Sequence, residues 1–136
     1  MGDAYRMGAQ ELLKRLEKPK GRVDVVIDTD TYNEIDDQFA LAYLIRSEEK
    51  LDLKAIYAAP FHNLHSQGPA DGMEKSYQEI LKVLRLMGEE KYVEVTCKGS
   101  DAYLPDESTP VDSPAARDLV RRALLQEEGK PLYFVS

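Results

Sequence analysis

Residues 25–45 read VVIDTDTYNEIDDQFALAYLI: an apolar run, five carboxylates within ten positions, and a second apolar run. The carboxylates are Asp28, Asp30, Glu34, Asp36 and Asp37. The first run, extended backward to Val23, is β-branched and short, as in strands buried on both faces of a parallel sheet. The second, Phe39 to Ile45, is apolar on nearly every side and predicts a central helix buried on more than one face. Strand, acidic loop and buried helix in this order form the opening unit of an α/β sheet.

Upstream, residues 3–17 place Met7, Leu12, Leu13 and Leu16 on one helical side, and Pro19 with Gly21 ends the element. Residues 1–20 are therefore expected to be an N-terminal helical extension that packs through its apolar side, and 21–136 the α/β domain. Downstream, LKAIYAA at 53–59 predicts a second strand, and 60–72 a long loop holding both histidines, His62 and His65. Met73, Tyr77, Ile80, Leu81, Leu84 and Met87 form one stripe at helical spacing, with Gly88 placed for a left-handed cap. YVEVTC at 92–97 predicts a third strand, and 99–112 a loop. Ser113 before Pro114 opens a helix running to about Gln126, with Leu119, Val120, Ala123 and Leu124 inward. PLYFVS predicts a fourth strand. Strands and helices alternate without hairpin signals, so the expected fold is α/β: a Rossmann-like open parallel sheet with helices on both faces. In such sheets ligands collect at the carboxyl ends of the strands.

The 136 residues hold 25 acidic and 18 basic side chains, a net charge of −7, with no Lys/Arg stripe. That balance repels phosphate backbones and argues against a nucleic-acid partner. The single cysteine, Cys97, allows no intramolecular disulfide and points to a reducing compartment, with the thiol read as structural. No stretch approaches the ~20 apolar residues that span a bilayer, and the start carries no apolar segment of signal-peptide type. The expectation is a cytoplasmic protein without a membrane partner.

Two carboxylates about 4 Å apart repel by ~1 kcal/mol in water and several-fold more inside a protein, so the acidic loop predicts a cation among its side chains. Hard divalent ions take oxygen ligands. Asp30 at the loop start and Asp37 in the first helical turn can reach one ion, leaving Asp36 beside it with an oxygen free for a substrate hydroxyl. The ion can lower the pKa of a water and one carboxylate can take its proton. The helix macrodipole alone accounts for acids at a helix start, hence for Glu34, Asp36 and Asp37. It does not account for Asp28 and Asp30, which end an apolar strand. Glu34 is read as a solvated loop residue, and His62 and His65 as polar surface. Tyr32 and Phe61 either pack locally or stack on a base.

Val26-Ile27-Asp28-Thr29-Asp30, the pair Asp36-Asp37 and the apolar helix after it resemble the N-terminal signature of the inosine-uridine preferring nucleoside hydrolases. The likeness continues through AIYAAPFHN to the terminal strand. It implies Ca²⁺-dependent hydrolysis of the N-glycosidic bond of ribonucleosides, giving ribose and free base, with a nucleoside as partner and self-association left open. By position, Asp30 matches the calcium ligand and general base, Asp37 a second calcium ligand, Asp36 the residue that grips ribose hydroxyls, and Asp28 a supporting aspartate. Asn63 resembles an asparagine near water and sugar. Five residues, Thr31 to Ile35, stand between Asp30 and Asp36, two more than in the family's usual loop. The family's later ligands, a carbonyl past the fourth strand and a distant aspartate, and its histidine for the leaving base, have no counterpart within 1–136. The expectation is the N-terminal part of such an enzyme, inactive alone.

Two alternatives stand beside it. VVIDTDTY approaches the Asp-x-Asp-x-Thr/Val strand end of the haloacid dehalogenase-like Mg²⁺-dependent phosphatases, with Asp28 as nucleophile, although Tyr32 occupies the Thr/Val place. The other is a non-catalytic metal-binding or assembly module.

Overall fold

The computed structural model describes residues 7–136. Its elements run α1 (Ala9–Arg15), β1 (Val23–Thr29), α2 (Ile35–Arg46), β2 (Leu51–Ala58), α3 (Pro69–Met87), a 3-10 helix (Glu90–Val95), β3 (Thr96–Lys98), α4 (Pro114–Leu125) and β4 (Leu132–Val135). The four strands form one sheet in the order β3-β2-β1-β4, and every pairing is parallel. The chain has the Rossmann-like α/β fold.

The apolar runs settle in the sheet's middle because both faces there are covered. Val25 and Ile27 point to one face, where Leu41, Leu44 and Ile45 of α2 and Met73, Ile80, Val83 and Leu84 of α3 meet Leu53, Ile56 and Ala58 of β2. Val26 points to the other, with Ala55 and Tyr57, and there Ala115 and Leu119 of α4 cover it. A register shift between Val25 and Val26 lets β2 carry one extra residue, Lys54, so that Leu53 and Ile56 both reach the α2–α3 side. Of the α3 stripe Met73, Tyr77, Ile80, Leu84 and Met87 pack as their spacing predicts, whereas Leu81 stays outside the cluster and Val83 is buried in it; Gly88 ends the helix at φ 70°, with Glu89 N–H donating to the Leu84 carbonyl at 2.9 Å.

Five further expectations need correction. Residues 3–6 of the first predicted helix lie outside the described residues; of the rest, α1 buries nothing, and Met7, Leu12, Leu13 and Leu16 are exposed. It is too short to hold a face against the sheet before Pro19 and Gly21 turn the chain into β1. The α2 helix is buried on one side only: Ile35, Phe39 and Tyr43, four residues apart, stand exposed. In α4 only Leu119 of the four predicted inward residues packs on the sheet; Val120, Ala123 and Leu124 are exposed. The helix leans on the sheet through its first turns, where Ser113 caps it by accepting from Ala116 N–H. The third strand shrinks to Thr96–Lys98, and most of YVEVTC is 3-10 helix. After the Gly88 turn that ends α3 the chain winds through this segment, with Tyr92 N–H bonded to the Glu89 carbonyl, before it pairs with Ile56–Ala58. Finally, α3 begins at Pro69 rather than Met73, with proline at the position whose missing N–H a helix does not need. Its first turn presses on the preceding loop so closely that a Cβ at Gly72 would lie 2.0 Å from the Phe61 carbonyl oxygen.

Strand β1 has β2 on one side and β4 on the other, so the strand order reverses between β1 and β4, whose carboxyl ends lie side by side at the Ile27–Val135 pair. That reversal is the switch point at which such sheets open a crevice for ligands. None of the described helices is long and apolar enough to cross a membrane.

Candidate active site at the carboxyl end of the first strand

Alternation along β1 continues past its last buried residues and sorts the loop side chains. Thr29 and Thr31, two apart, turn inward and are buried, and their hydroxyls meet at 2.9 Å. The Thr29 hydroxyl gives its one proton to Asp37 Oδ1 at 2.8 Å, so Thr31 is the donor between the two threonines. Thr29 thereby ties the strand end to the first turn of α2. The Thr29 carbonyl accepts from Ala59 N–H at 2.9 Å, keeping the second-strand loop alongside.

Asp28 and Asp30 take the intervening positions. Between Asp30 and Glu34 the chain turns sharply: Asn33 N–H donates to the Asp30 carbonyl at 2.6 Å, and Asn33 Nδ2 donates to Asp30 Oδ2 at 2.9 Å. This turn brings the Asp30 carboxyl within hydrogen-bonding reach of Asp37. The pairing marks itself electrostatically. Burial first, then the Asp30 carboxyl beside it and the charge of Asp36, push Asp37 up to about 6 against the opposing bond from Thr29. Burial, followed by the charge of Asp30, also raises Asp28.

Asp30 and Asp37 are thus brought together. Asp36 stands exposed in the first turn of α2, and Glu34, at the helix cap position, makes no capping bond through its side chain. Asn63 reaches the acidic loop from the far side: its Nδ2 donates to Asn33 Oδ1, while its Oδ1 accepts from His65 N–H at 2.8 Å. His62 and His65 are exposed. Tyr32 stacks on buried Phe61 with centroids 6.4 Å apart, so these aromatics pack on each other, with the Lys75 ammonium 5.9 Å from the Tyr32 ring centre. Cys97, on the opposite side of the sheet, is half-buried, and burial followed by the charge of Asp118 raises its thiol away from the reactive form.

The donor set at this edge is two carboxylates, hard oxygen ligands of the kind Ca²⁺ and Mg²⁺ accept. Burial is the first cause of the raised Asp37 and the neighbouring Asp30 carboxyl the next; a divalent cation would relieve the crowding of the two carboxyls, so the residues fit such an ion as one side of its shell. Among the described residues no three His, Cys, Asp or Glu side chains converge to form a fuller one.

Three participants were not singled out from sequence. Thr29 and Thr31 could have been read from the alternation of Asp-Thr-Asp-Thr at a strand end, which puts both hydroxyls on one side. The contact of Asn33 with Asp30 is local, but its second partner, Asn63, is 30 residues away and leaves no signal near Asn33. No protein-family model, curated protein or solved structure matches this chain; the geometry and the sequence resemblance carry the functional reading.

Proposed function

We propose that this chain supplies the ion- and sugar-binding edge of a Ca²⁺-dependent hydrolase that cleaves the N-glycosidic bond of ribonucleosides to ribose and free base. The observation that supports this best is the meeting of Asp30 and Asp37 at the carboxyl end of β1, beside the switch point. Asp30 and Asp37 would hold the ion. Bound there, Ca²⁺ offsets the repulsion between them and lowers the pKa of water in its shell. Asp30, steadied by Asn33, would take the proton of the attacking water. Asp36, exposed and anionic, is free for ribose hydroxyls, and Asn63 faces the same edge. Departure of the base leaves an oxocarbenium-like sugar, which a cluster of anionic oxygens stabilises. Asp28 supports the cluster from the strand. The haloacid dehalogenase pattern fits less well, because Tyr32 stands where that pattern has Thr or Val.

Calorimetric titration with Ca²⁺ tests the reading. With two carboxylates as ligands, residues 1–136 are expected to bind in the range of ~10⁻⁴ to 10⁻³ M that suits a sparsely charged site, and to release no base from inosine or uridine. Asp30→Asn and Asp37→Asn should each abolish the binding. Failure of the unsubstituted chain to bind, binding that survives both substitutions, or chelator-sensitive base release by 1–136 alone would each overturn it.

A further inference from the structure

Asn33 links Asp30 of the acidic loop to Asn63 of the second-strand loop by side-chain hydrogen bonds. Its Nδ2 donates to Asp30 Oδ2 at 2.9 Å, and its Oδ1 accepts from Asn63 Nδ2. Asn63 is itself held: its Oδ1 accepts from His65 N–H at 2.8 Å, and Ser66 Oγ, which accepts from Asn63 N–H at 3.3 Å, donates to the Phe61 carbonyl at 3.0 Å. The far end of this chain is fastened to α3, where Lys75 Nζ donates to the His65 carbonyl at 2.8 Å and pairs with Asp71 at the same distance. Helix α3 in turn presses on the loop at Gly72, where backbone meets backbone. An amide is the group this position calls for, since it must donate to a carboxylate on one side and accept from an amide on the other. Aspartate cannot donate at neutral pH, and serine is too short to span both.

We infer that Asn33 is a positioning residue that fixes the orientation of the Asp30 carboxylate by bridging it to Asn63, so that the α3-anchored loop, and not the acidic loop alone, sets the geometry of the two carboxylate ligands. Asp30 sits on a five-residue turn between strand and helix, and without the bridge its carboxylate would turn freely about χ1 and χ2. The inference rests on the Ca²⁺ reading above. Outer partners that orient a ligating carboxylate typically change metal affinity 10- to 100-fold when removed.

The test has two arms. In the first, without calcium, the side-chain amide signals of Asn33 and Asn63 are followed by ¹⁵N NMR on residues 1–136. Asp30→Asn and Asn63→Ala should each displace the Asn33 signal while backbone signals of the α2–α3 core stay in place. An Asn33 signal at the position of a freely solvated amide, indifferent to both substitutions, overturns the bridge. In the second, Ca²⁺ affinity is measured by calorimetry for Asn33→Ala, Asn33→Gln and Asn63→Ala. The expected order is a loss of about 10- to 100-fold for Asn33→Ala, a smaller loss for Asn63→Ala, and partial recovery with Asn33→Gln, with thermal midpoints of the three variants without calcium close together. Unsubstituted chain that binds Ca²⁺ together with Asn33→Ala that binds equally well sinks the positioning role and leaves the hydrolase reading standing. Absence of binding in the unsubstituted chain sinks both.

Discussion

The two faces of the sheet are built differently. On the α2–α3 side twelve buried residues from two strands and two helices close into one apolar cluster. On the α4 side the buried apolar cluster is Val26, Ala55, Tyr57 and Ala115, and a polar clasp helps to hold the helix. The Tyr57 hydroxyl donates to Asp118 at 2.9 Å, and Arg122 Nε donates to the same carboxylate oxygen at 2.6 Å. Burial pushes Asp118 up, but the bonds from Arg122, Arg121 and Tyr57 outweigh it and hold the carboxyl below its ordinary value. Beyond the clasp, Val120, Leu124, Leu125, Phe134 and Val135 leave apolar surface exposed along α4 and β4. The first face is stabilised by burial, which has no directional demand; the second by a few bonds whose worth depends on geometry.

The sharpest way to break this comparison is to make a hole in each face. Ile80 is fully buried between α3 and the sheet, so Ile80→Ala should cost about 2–5 kcal/mol, read as a fall in the urea midpoint with the slope unchanged. A loss below 1 kcal/mol would mean that this face is as loosely closed as the other. On the α4 side Tyr57→Phe keeps the ring and removes one bond from Asp118, which retains Arg121 and Arg122. The expected loss is about 1 kcal/mol, and a loss as large as that of Ile80→Ala would show that the clasp, rather than the apolar cluster, closes the domain.

The smallest effect sharpens the comparison at the rim of the tighter face. Asp37 opens α2 and carries its carboxyl at about 6, above the unfolded value near 4. Between those two values the folded state holds more of the Asp37 proton than the unfolded state, so the contribution of Asp37 to stability is greatest below pH ~4 and falls as pH rises through about 6. Asp28, raised by burial and by Asp30, adds in the same direction. Asp37→Asn should flatten this slope and raise the thermal midpoint at pH 7 by a few degrees, the gain being limited because the group is partly solvated. Midpoints of the two proteins that run parallel from pH 4 to pH 7 would remove Asp37 as the source of the slope.

Much of the fold was legible because its signals are local. The β-branched run at 23–27, the stripe from Met73 to Met87, Gly88 as a left-handed cap and Ser113-Pro114 as a helix start each depend on neighbours within a turn or two, and the structure has them all, Leu81 of the stripe excepted. The misreadings fall where a local pattern has two outcomes. YVEVTC has strand composition, but the path from the end of α3 back to the sheet winds most of it into 3-10 helix. The apolar residues of α2 and α4 face inward or outward according to which other surface is present, and periodicity cannot supply that surface. The same division runs through the site: Asp30 and Asp37 could be named from a crowded acidic loop, whereas the bridge through Asn33 joins residues 30 positions apart.

The order of strands and helices, the acidic loop at the end of the first strand and the balance of charge were set by the sequence alone, because covalent geometry ties side-chain direction to spacing. The strand order that puts β1 between β2 and β4, the unequal covering of the two faces and the meeting of Asn33 with Asn63 were decided only in three dimensions. They arise from which distant segments bury each other's apolar surface and complete each other's hydrogen bonds, and no window of neighbouring residues contains both halves of such a contact.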